Sequence, residues 1–306
     1  MRQRMMNSLA VGICALLVSA TAFASEQGHF EKTLNVSGGA DLEVLSRSGN
    51  VTVRNGAAGN VKIIGRIHVG DRWFSGNRKS DVEAIENNPP IQQNGNSVRI
   101  NYVDYRDISV DYEITAPPDT KVRAKTGSGD QTVEGMRAGV DLETGSGDVR
   151  LTDLAGDLRV HTGSGNIEGR GVGGPLDARA GSGDLRLDDV GKGDVHVETG
   201  SGNIEVRGVD GGLRASTGSG NLRIDGTPAS NWSVKTGSGN ADLKVPDQAA
   251  FDVDLSTSSG SIVVSPAVTT TVQGRVEDAR KMIRGKVRGG GPEIAVHTGS
   301  GDIRID

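Results

Sequence analysis

The chain has 306 residues, of which 46 are glycine and only 3% are aromatic, and its formal net charge is −5. This composition favours a repetitive β structure over a globular core built from large side chains, and the acidic balance argues against a nucleic-acid-binding protein. The single cysteine, Cys14, lies in the N-terminal segment that we interpret below as a signal peptide, so we expect the mature chain to have no disulfide and no thiolate metal site.

The first 24 residues have the pattern of a secretory signal peptide. Arg2 and Arg4 form a positive end, an apolar stretch follows, and Ala22-Phe23-Ala24 fits the small-x-small cleavage rule. We therefore expect cleavage near Ala24-Ser25, a single domain over residues 25–306, and a periplasmic or extracellular location. No later segment is apolar and long enough to span a membrane.

Residues 30–70 alternate between apolar and polar side chains, which predicts short strands. The pattern breaks over residues 71–97, where we expect a short helix near 80–88 that Ser80-Asp81-Val82-Glu83 opens as a capping box. Trp73 and Phe74 lie in this break. An exposed aromatic pair is a typical binding anchor, whereas the alternative is that the two side chains pack as a cap over the coil end. Three further strands are predicted at Val98–Val103, Ile108–Ile114 and Lys121–Lys125.

The tetrapeptide Gly-Ser-Gly-(Asp/Asn) recurs at intervals of about 18 residues, and a fixed period of this length indicates a solenoid. Between two copies lie two strands of alternating side chains, so each rung buries one face. Glycine reaches positive φ without a steric penalty, which suits a sharp corner. The sequence therefore predicts an all-β fold, a parallel β-solenoid. The eight copies start at Gly127, Gly145, Gly163, Gly181, Gly200, Gly218, Gly237 and Gly299.

Charges at the outward position after each corner alternate in sign, and they read Arg150, Glu168, Arg186, Glu205, Arg223 and Asp242. In a parallel in-register stack, opposite charges then face each other across neighbouring strands, which favours that register. The Asp or Asn that ends each corner motif has two interpretations. Its side chain hydrogen-bonds the local turn backbone, or the column binds calcium as in calcium-stabilised β-rolls, although half of the column is Asn.

Residues 265–293 interrupt the repeat with a basic insertion, in which Arg280, Lys281 and Arg284 form a predicted partner-binding surface. Its positive charge suits an anionic glycan, a lipid head group or an acidic protein; alternatively, the segment is an amphipathic helix that covers the coil. The strict motif returns over Ile294–Asp306. We expect this last strand either to be an exposed edge, open to edge-to-edge self-association, or to be covered by another segment.

Three features together resemble the DUF4097 family of candidate adhesins, which is related to autotransporter-adhesin head domains. They are the strand Tyr112-Glu113-Ile114-Thr115-Ala116-Pro117 before the first repeat, the reiterated Thr-Gly-Ser-Gly-(Asp/Asn) corners, and Gly289–Pro292 before the terminal motif. The resemblance covers residues 30–306. It implies an exported, adhesin-like single-domain β-solenoid, and it supplies no catalytic residues.

We therefore expect a non-catalytic structural or binding module of the cell envelope, without a cofactor or metal, whose partner is an envelope protein or a glycan. The alternative is a polysaccharide lyase or hydrolase, because parallel β-helices often carry such sites. Asp153, Asp188 and Asp189 lie near one corner and are the carboxylates available for it. The scarcity of aromatic side chains, which commonly form sugar platforms, argues against this alternative.

Overall fold

The computed structural model describes residues 26–70, 78–270 and 281–306. Trp73, Phe74, Arg280 and the predicted signal peptide lie outside the described residues. Within the described ranges there are 25 strands, joined in one hydrogen-bonded sheet, and one helix. In chain order they are β1 (Glu26–Asn35), β2 (Asp41–Ser48), β3 (Val51–Asn55), β4 (Asn60–Val69), α1 (Lys79–Asn87), β5 (Ile91–Asn94), β6 (Ser97–Ile100), β7 (Ile108–Ala116), β8 (Lys121–Ser128), β9 (Gln131–Glu134), β10 (Val140–Ser146), β11 (Val149–Leu154), β12 (Leu158–Ser164), β13 (Ile167–Val172), β14 (Leu176–Ser182), β15 (Leu185–Val190), β16 (Val195–Ser201), β17 (Ile204–Ser219), β18 (Leu222–Ser238), β19 (Ala241–Lys244), β20 (Phe251–Ser259), β21 (Ile262–Val264), β22 (Val268–Thr270), β23 (Met282–Val287), β24 (Glu293–Ser300) and β25 (Ile303–Ile305).

Each rung of the coil contributes one strand before its corner and one after it, and equivalent strands of successive rungs pair in parallel. Val140 lies opposite Leu158, which lies opposite Leu176. The parallel β-solenoid predicted from the repeat is confirmed. The pre-corner layer stacks β2, β8, β10, β12, β14, β16, the second halves of β17 and β18, β24 and β20. The post-corner layer stacks β3, β9, β11, β13, β15, the first halves of β17 and β18, β19, β25 and β21.

The core lies inside the coil, where aliphatic side chains of the two layers meet. The predicted inward residues are buried throughout, and Trp232 is only 1% exposed. Because a buried indole nitrogen needs a partner, its Nε1 donates a hydrogen bond to the carbonyl oxygen of Gly211 at 2.9 Å. A third inward column of apolar side chains closes the coil between the layers: Met136, Leu154, Val172, Val190 and Val209.

The rungs at the C-terminal end do not stack in sequence order. β24 lies between β18 and β20, and β25 lies between β19 and β21. Residues 293–306 therefore fill a slot between two rungs that precede them in the chain. The expectation of an exposed edge at this last strand is wrong, because both of its sides are hydrogen-bonded. In the described part of the chain, β21 and β22 are the edges at this end.

The N-terminal end combines the same out-of-order stacking with an antiparallel cap. β2 lies between β6 and β8, and β3 lies between β7 and β9. β4 then pairs antiparallel with β7 and with β1. The cap covers the end of the coil that the first rungs would otherwise leave open.

The helix α1 packs against this cap through Val82 and Ile85, which are buried. It confirms the predicted helix, but the predicted capping box is wrong. The residue at the N-cap is Arg78, and no side chain caps the helix there. Since the helix begins at Lys79, Ser80 lies inside it rather than at its start. The described residues contain no helix with the length and apolarity needed to cross a membrane.

The described parts of the basic insertion are strands. β23 pairs antiparallel with β20 and with β22, so the insertion extends the pre-corner layer past the last rung. The alternative of an amphipathic helix over 265–293 is wrong for 282–287. The alternation of Met282, Arg284 and Lys286 with Ile283, Gly285 and Val287 has the two-residue period of a strand.

Candidate functional site

The Asp or Asn of each corner forms a ladder that runs along the stack. The backbone N–H of Asn166 donates to Oδ1 of Asp148 at 2.8 Å, and Oδ1 of Asn166 accepts from the N–H of Asp184 at 2.9 Å. The prediction that these side chains bond their own turn is therefore corrected, because each one bonds the next rung. The ladder follows the spatial order of the rungs, since Oδ1 of Asp302 accepts from the N–H of Ser261 and the backbone N–H of Asp302 donates to Oδ1 of Asn240.

The other corner residues also meet the neighbouring rung. The buried hydroxyl of Thr162 donates to the carbonyl oxygen of Gly147 at 3.1 Å. Gly165 has φ +153°, and a Cβ there would lie 2.0 Å from that same oxygen. A Cβ on Gly163 would lie 2.6 Å from the carbonyl oxygen of Gly145. Both glycines of the motif are thus required by close backbone stacking, and the serine between them is exposed.

The carboxylates proposed for an enzymatic alternative have structural contacts. Asp188 forms ion pairs with Arg186 at 3.5 Å and with Arg207 at 3.0 Å. Asp153 and Asp189 have positive φ angles, 53° and 61°, near the ends of β11 and β15, where the backbone departs from regular strand geometry. In the described residues no group of three His, Cys, Asp or Glu side chains is placed to hold a metal ion.

Two of the predicted partner-binding residues belong to the described part of the chain, and both contact it. Nζ of Lys281 donates to the carbonyl oxygen of Ser258 at 2.9 Å. Nε of Arg284 lies 3.0 Å from Oδ1 of Asp254, and this carboxylate raises the pKa of Arg284. Both cations remain on the surface. The partner-binding role of these two residues stays a prediction.

A surface groove, which we call the tyrosine groove, lies where the loop 101–107 replaces the regular corner. This loop joins β6 to β7, and it carries the exposed Tyr102. The guanidinium of Arg47 lies 5.9 Å from the centre of the Tyr102 ring and 2.6 Å from Oδ1 of Asp104. The groove has a volume of about 700 Å³ and is lined by Ser46, Arg47, Tyr102, Lys125, Thr126, Gly127, Glu143, Thr144, Gly145, His161 and Gly163.

The floor of the tyrosine groove is backbone. Gly127, Gly145 and Gly163 are successive members of the column of first corner glycines, so no side chain rises from these positions. Tyr102 and Arg47 lie at the end of this strip. A flat strip with an aromatic wall can hold a planar or ring-shaped ligand from one side.

An ion pair forms one wall of the tyrosine groove. Nζ of Lys125 lies 2.5 Å from Oε2 of Glu143, its in-register neighbour. The hydrogen bond and charge of Lys125 lower the pKa of Glu143, and Glu143 raises the pKa of Lys125. Both groups therefore remain charged at neutral pH, and they offer a donor and an acceptor to a polar ligand.

Sequence reasoning missed Tyr102 and Arg47. A signal was present, because two of the three tyrosines in the chain, Tyr102 and Tyr105, lie in one short break between strands. A polar loop with two aromatic side chains is typical of a binding loop rather than of a connection.

Comparisons with known proteins gave three similar solved structures. Among solved structures, the chain is similar to a candidate adhesin from Bacteroides fragilis NCTC 9343, with 12% identity over 92% of this chain and 98% of that chain and a TM-score of 0.35. A candidate adhesin from Parabacteroides distasonis ATCC 8503 shows 12% identity over 92% and 98%, with a TM-score of 0.32. A candidate cell adhesion protein from Clostridium sporogenes ATCC 15579 shows 10% identity over 90% and 97%, with a TM-score of 0.23.

No curated protein matches the chain. A protein-family model does match it, and this match carries the assignment that the corner motifs led us to expect. The family is described as Toastrack DUF4097, and the matched region is 155–306, which spans the later regular rungs and the inserted terminal segment. Residues 155–306 of the chain thus match the DUF4097 family.

Proposed function

We propose that this protein is an exported, non-catalytic, adhesin-like binding module of the cell envelope, and that it binds a glycan in the tyrosine groove. The observation that carries the proposal is Tyr102, whose side chain is exposed at the end of a strip of glycine backbone. A large aromatic side chain that faces solvent beside an open groove is unusual in a chain with so few aromatic residues.

The chemistry around Tyr102 suits a sugar. An aromatic face packs against the C–H groups of a pyranose ring, and the flat glycine floor lets the ring approach the backbone. A glycan also needs partners for many hydroxyl groups. The exposed serines of the corners supply hydroxyls that both donate and accept, and they stack in register along the strip at Ser128, Ser146, Ser164 and Ser182.

Export and the envelope location rest on the signal-peptide pattern of residues 1–24, which leaves residues 25–306 as the functional chain. We also propose that Trp73, Phe74, Arg280, Lys281 and Arg284 contribute to partner contact, because aromatic and basic side chains are typical anchors for glycans and anionic surfaces. These residues and the tyrosine groove are separate parts of the proposal and are tested separately.

The tyrosine groove is tested by glycan-array binding of residues 25–306 with Tyr102→Ala and the matched control Tyr105→Ala. Tyr105 is exposed in the same loop but does not line the groove. We expect Tyr102→Ala to weaken binding of the captured glycan at least about tenfold, which corresponds to about 1.4 kcal/mol, and Tyr105→Ala to leave it unchanged.

Equal loss in the two variants, or no loss in either, would remove the tyrosine groove from the proposal. Incubation of the captured glycan with the protein, followed by chromatography of the products, tests the non-catalytic part. Cleavage of the glycan would show that the lyase or hydrolase alternative is correct.

A further inference from the structure

Cations on the outward face of the pre-corner layer lie opposite carboxylates in the neighbouring rung. Arg99 forms an ion pair with Glu43 at 3.1 Å, and Arg123 lies 3.9 Å from Asp141. The pattern recurs along the layer, because at least one in-register neighbour is acidic for each of Arg99, Arg123, Lys125, Arg159, Arg179 and Arg284.

Arg214 and Lys235 depart from this pattern. The in-register neighbours of Arg214 are His196 and Ser233, and those of Lys235 are Ser216 and His297. Within the described residues neither cation forms an ion pair with a carboxylate, and both side chains are exposed. The two residues lie on neighbouring strands and are offset by two positions along the strand, so their Cα atoms lie about 8 Å apart. The pairing of cations with carboxylates in this layer is therefore interrupted at Arg214 and Lys235.

A groove opens at the same place. In the outward column that contains Arg214, the alternation predicts a charged side chain on each of the next two rungs. These positions are occupied by Ser233 and then Ala295. These short side chains leave a depression of about 1040 Å³, which Arg214 and Lys235 border together with His196 and His297. The second of these positions belongs to the terminal segment that is inserted between earlier rungs, so the groove exists only in the completed stack.

We propose that this groove, which we call the Arg214 groove, binds the carboxylate of an acidic glycan. Two cations that have no ion-pair partner among the described residues can each form a charge-assisted hydrogen bond to an anion, and the guanidinium can bind a carboxylate with two parallel bonds. Ser233 adds a hydroxyl at the floor. The site is separate from the tyrosine groove, because the two grooves share no lining residue.

The acidic residues at the border of the Arg214 groove do not cancel this charge. Asp254 is neutralised by Arg284 at 3.0 Å. Asp194 and Glu293 lie on the upstream side, where their strands begin. The groove is thus positive on one side and negative on the other, which suits a chain of sugars with spaced carboxylates and disfavours a uniformly dense polyanion.

The ligand class in this inference rests on the proposed glycan-binding function, but an experiment can disprove binding in one groove without affecting the proposal for the other. The experiment is isothermal titration of residues 25–306 with a galacturonic acid trimer, and with a neutral galactose trimer, at low ionic strength. We expect the acidic trimer to bind and the neutral trimer not to bind at the Arg214 groove. Arg214→Gln and Lys235→Gln should each lower the affinity at least about fivefold, and about 0.5 M salt should lower it further.

The matched control is Arg159→Gln, which removes an exposed arginine from the same outward column. Arg159 has Asp141 and Asp177 as in-register neighbours and does not line the Arg214 groove. The affinity of the Arg159→Gln variant for the acidic trimer should remain within about twofold of that of the parent chain, and Tyr102→Ala should likewise leave this affinity unchanged. An equal loss in Arg159→Gln, equal binding of the two trimers, no binding of the acidic trimer, or tighter binding of a poly-glutamate peptide would each overturn the proposal.

Discussion

In the Thr-Gly-Ser-Gly-(Asp/Asn) corner, the threonine, the two glycines and the Asp or Asn contribute to contacts between rungs, whereas the serine side chain is exposed. The threonine hydroxyl and the Asp or Asn side chain hydrogen-bond backbone groups of a neighbouring rung, while the two glycines allow the backbones to approach closely. Each such hydrogen bond contributes about 1 kcal/mol net. The corner thus joins each rung to its neighbour, and its exposed serine side chains are available to contact a ligand.

The ladder makes Asn166 a test of this account. In Asn166→Ala the N–H of Asp184 loses its acceptor, and we expect the free energy of unfolding to fall by about 1 kcal/mol. Asn166→Asp keeps the Oδ1 acceptor and should stay within about 0.5 kcal/mol of the parent chain. Urea unfolding measures both. The exposed neighbour supplies the control Ser164→Ala, which should have no effect. A loss in Asn166→Asp equal to that in Asn166→Ala would show that the side-chain oxygen is not the stabilising group.

Sequence could identify the corner residues but not the partner of each side chain. Asp and Asn are turn residues, and the local interpretation follows from a single rung. In the regular rungs, their actual partner lies 18 or 19 residues away, at the same position of the next rung. Tyr102 was missed for a related reason, since a loop becomes a groove wall only when the glycine strip beside it is in place.

At the scale of elements, the notable feature is the terminal segment in its slot between earlier rungs. Its charges fit that slot, because Arg304 lies opposite Asp242 and the strand end at Asp306 lies beside Lys244. The pKa of Asp306 is lowered by hydrogen bonds from Arg304 and Ser265 and by the charges of Arg304 and Lys244. The terminal segment therefore bridges the rungs on the two sides of the slot, although it follows both of them in the sequence.

A chain that ends at Pro292 tests the role of this segment. Its removal leaves two facing sets of unpaired strands, β18 with β19 and β20 with β21, which are ready to pair with other chains. We expect oligomers or aggregates in size-exclusion chromatography, and a return to monomer when a peptide of residues 293–306 is added.

The matched control peptide exchanges two charges, with Arg304→Asp and Asp306→Arg. It keeps the composition but places like charges beside Asp242 and Lys244, so it should restore the monomer less well. A truncated chain that stays monomeric with an unchanged melting temperature would show that the slot closes without the terminal segment.

The existence of the strands could be predicted from the sequence, but their order at the two ends could not. Every rung carries the same corner, so local pattern does not say which rung is next in space. The alternating charges did contain the answer at one position. Asp242 is followed in the chain by the uncharged Val263 and in space by Arg304, which continues the alternation.

At the scale of the whole molecule, the outward face of the post-corner layer is a checkerboard of charge. From β13 to β25, each of six stacked rungs carries one cation and one anion, and the next rung carries them in exchanged positions, so that opposite charges face each other along both columns. The pairs are Glu168 and Arg170, Arg186 and Asp188, Glu205 and Arg207, Arg223 and Asp225, Asp242 and Lys244, and Arg304 and Asp306. The charge pattern therefore repeats every two rungs, whereas the backbone structure repeats every rung.

Deletion of whole rungs tests this two-rung period. Without residues 181–199, Glu168 faces Glu205 and Arg170 faces Arg207, so two like-charge contacts form. Without residues 181–217, Glu168 faces Arg223 and the alternation is restored. Each exposed like-charge contact costs some tenths of a kcal/mol and weakens as salt screens it.

The measurement is the shift in melting temperature between about 0.02 M and about 0.5 M salt, because it separates charge repulsion from the stability lost with chain length. Both deletions carry Lys235→Gln, since removal of two rungs would place Arg179 beside Lys235. We expect salt to raise the melting temperature of the one-rung deletion by about 2–4 °C relative to the two-rung deletion. Equal shifts would mean that the checkerboard does not set the register, and that the corner ladder and the buried core alone hold each rung in place.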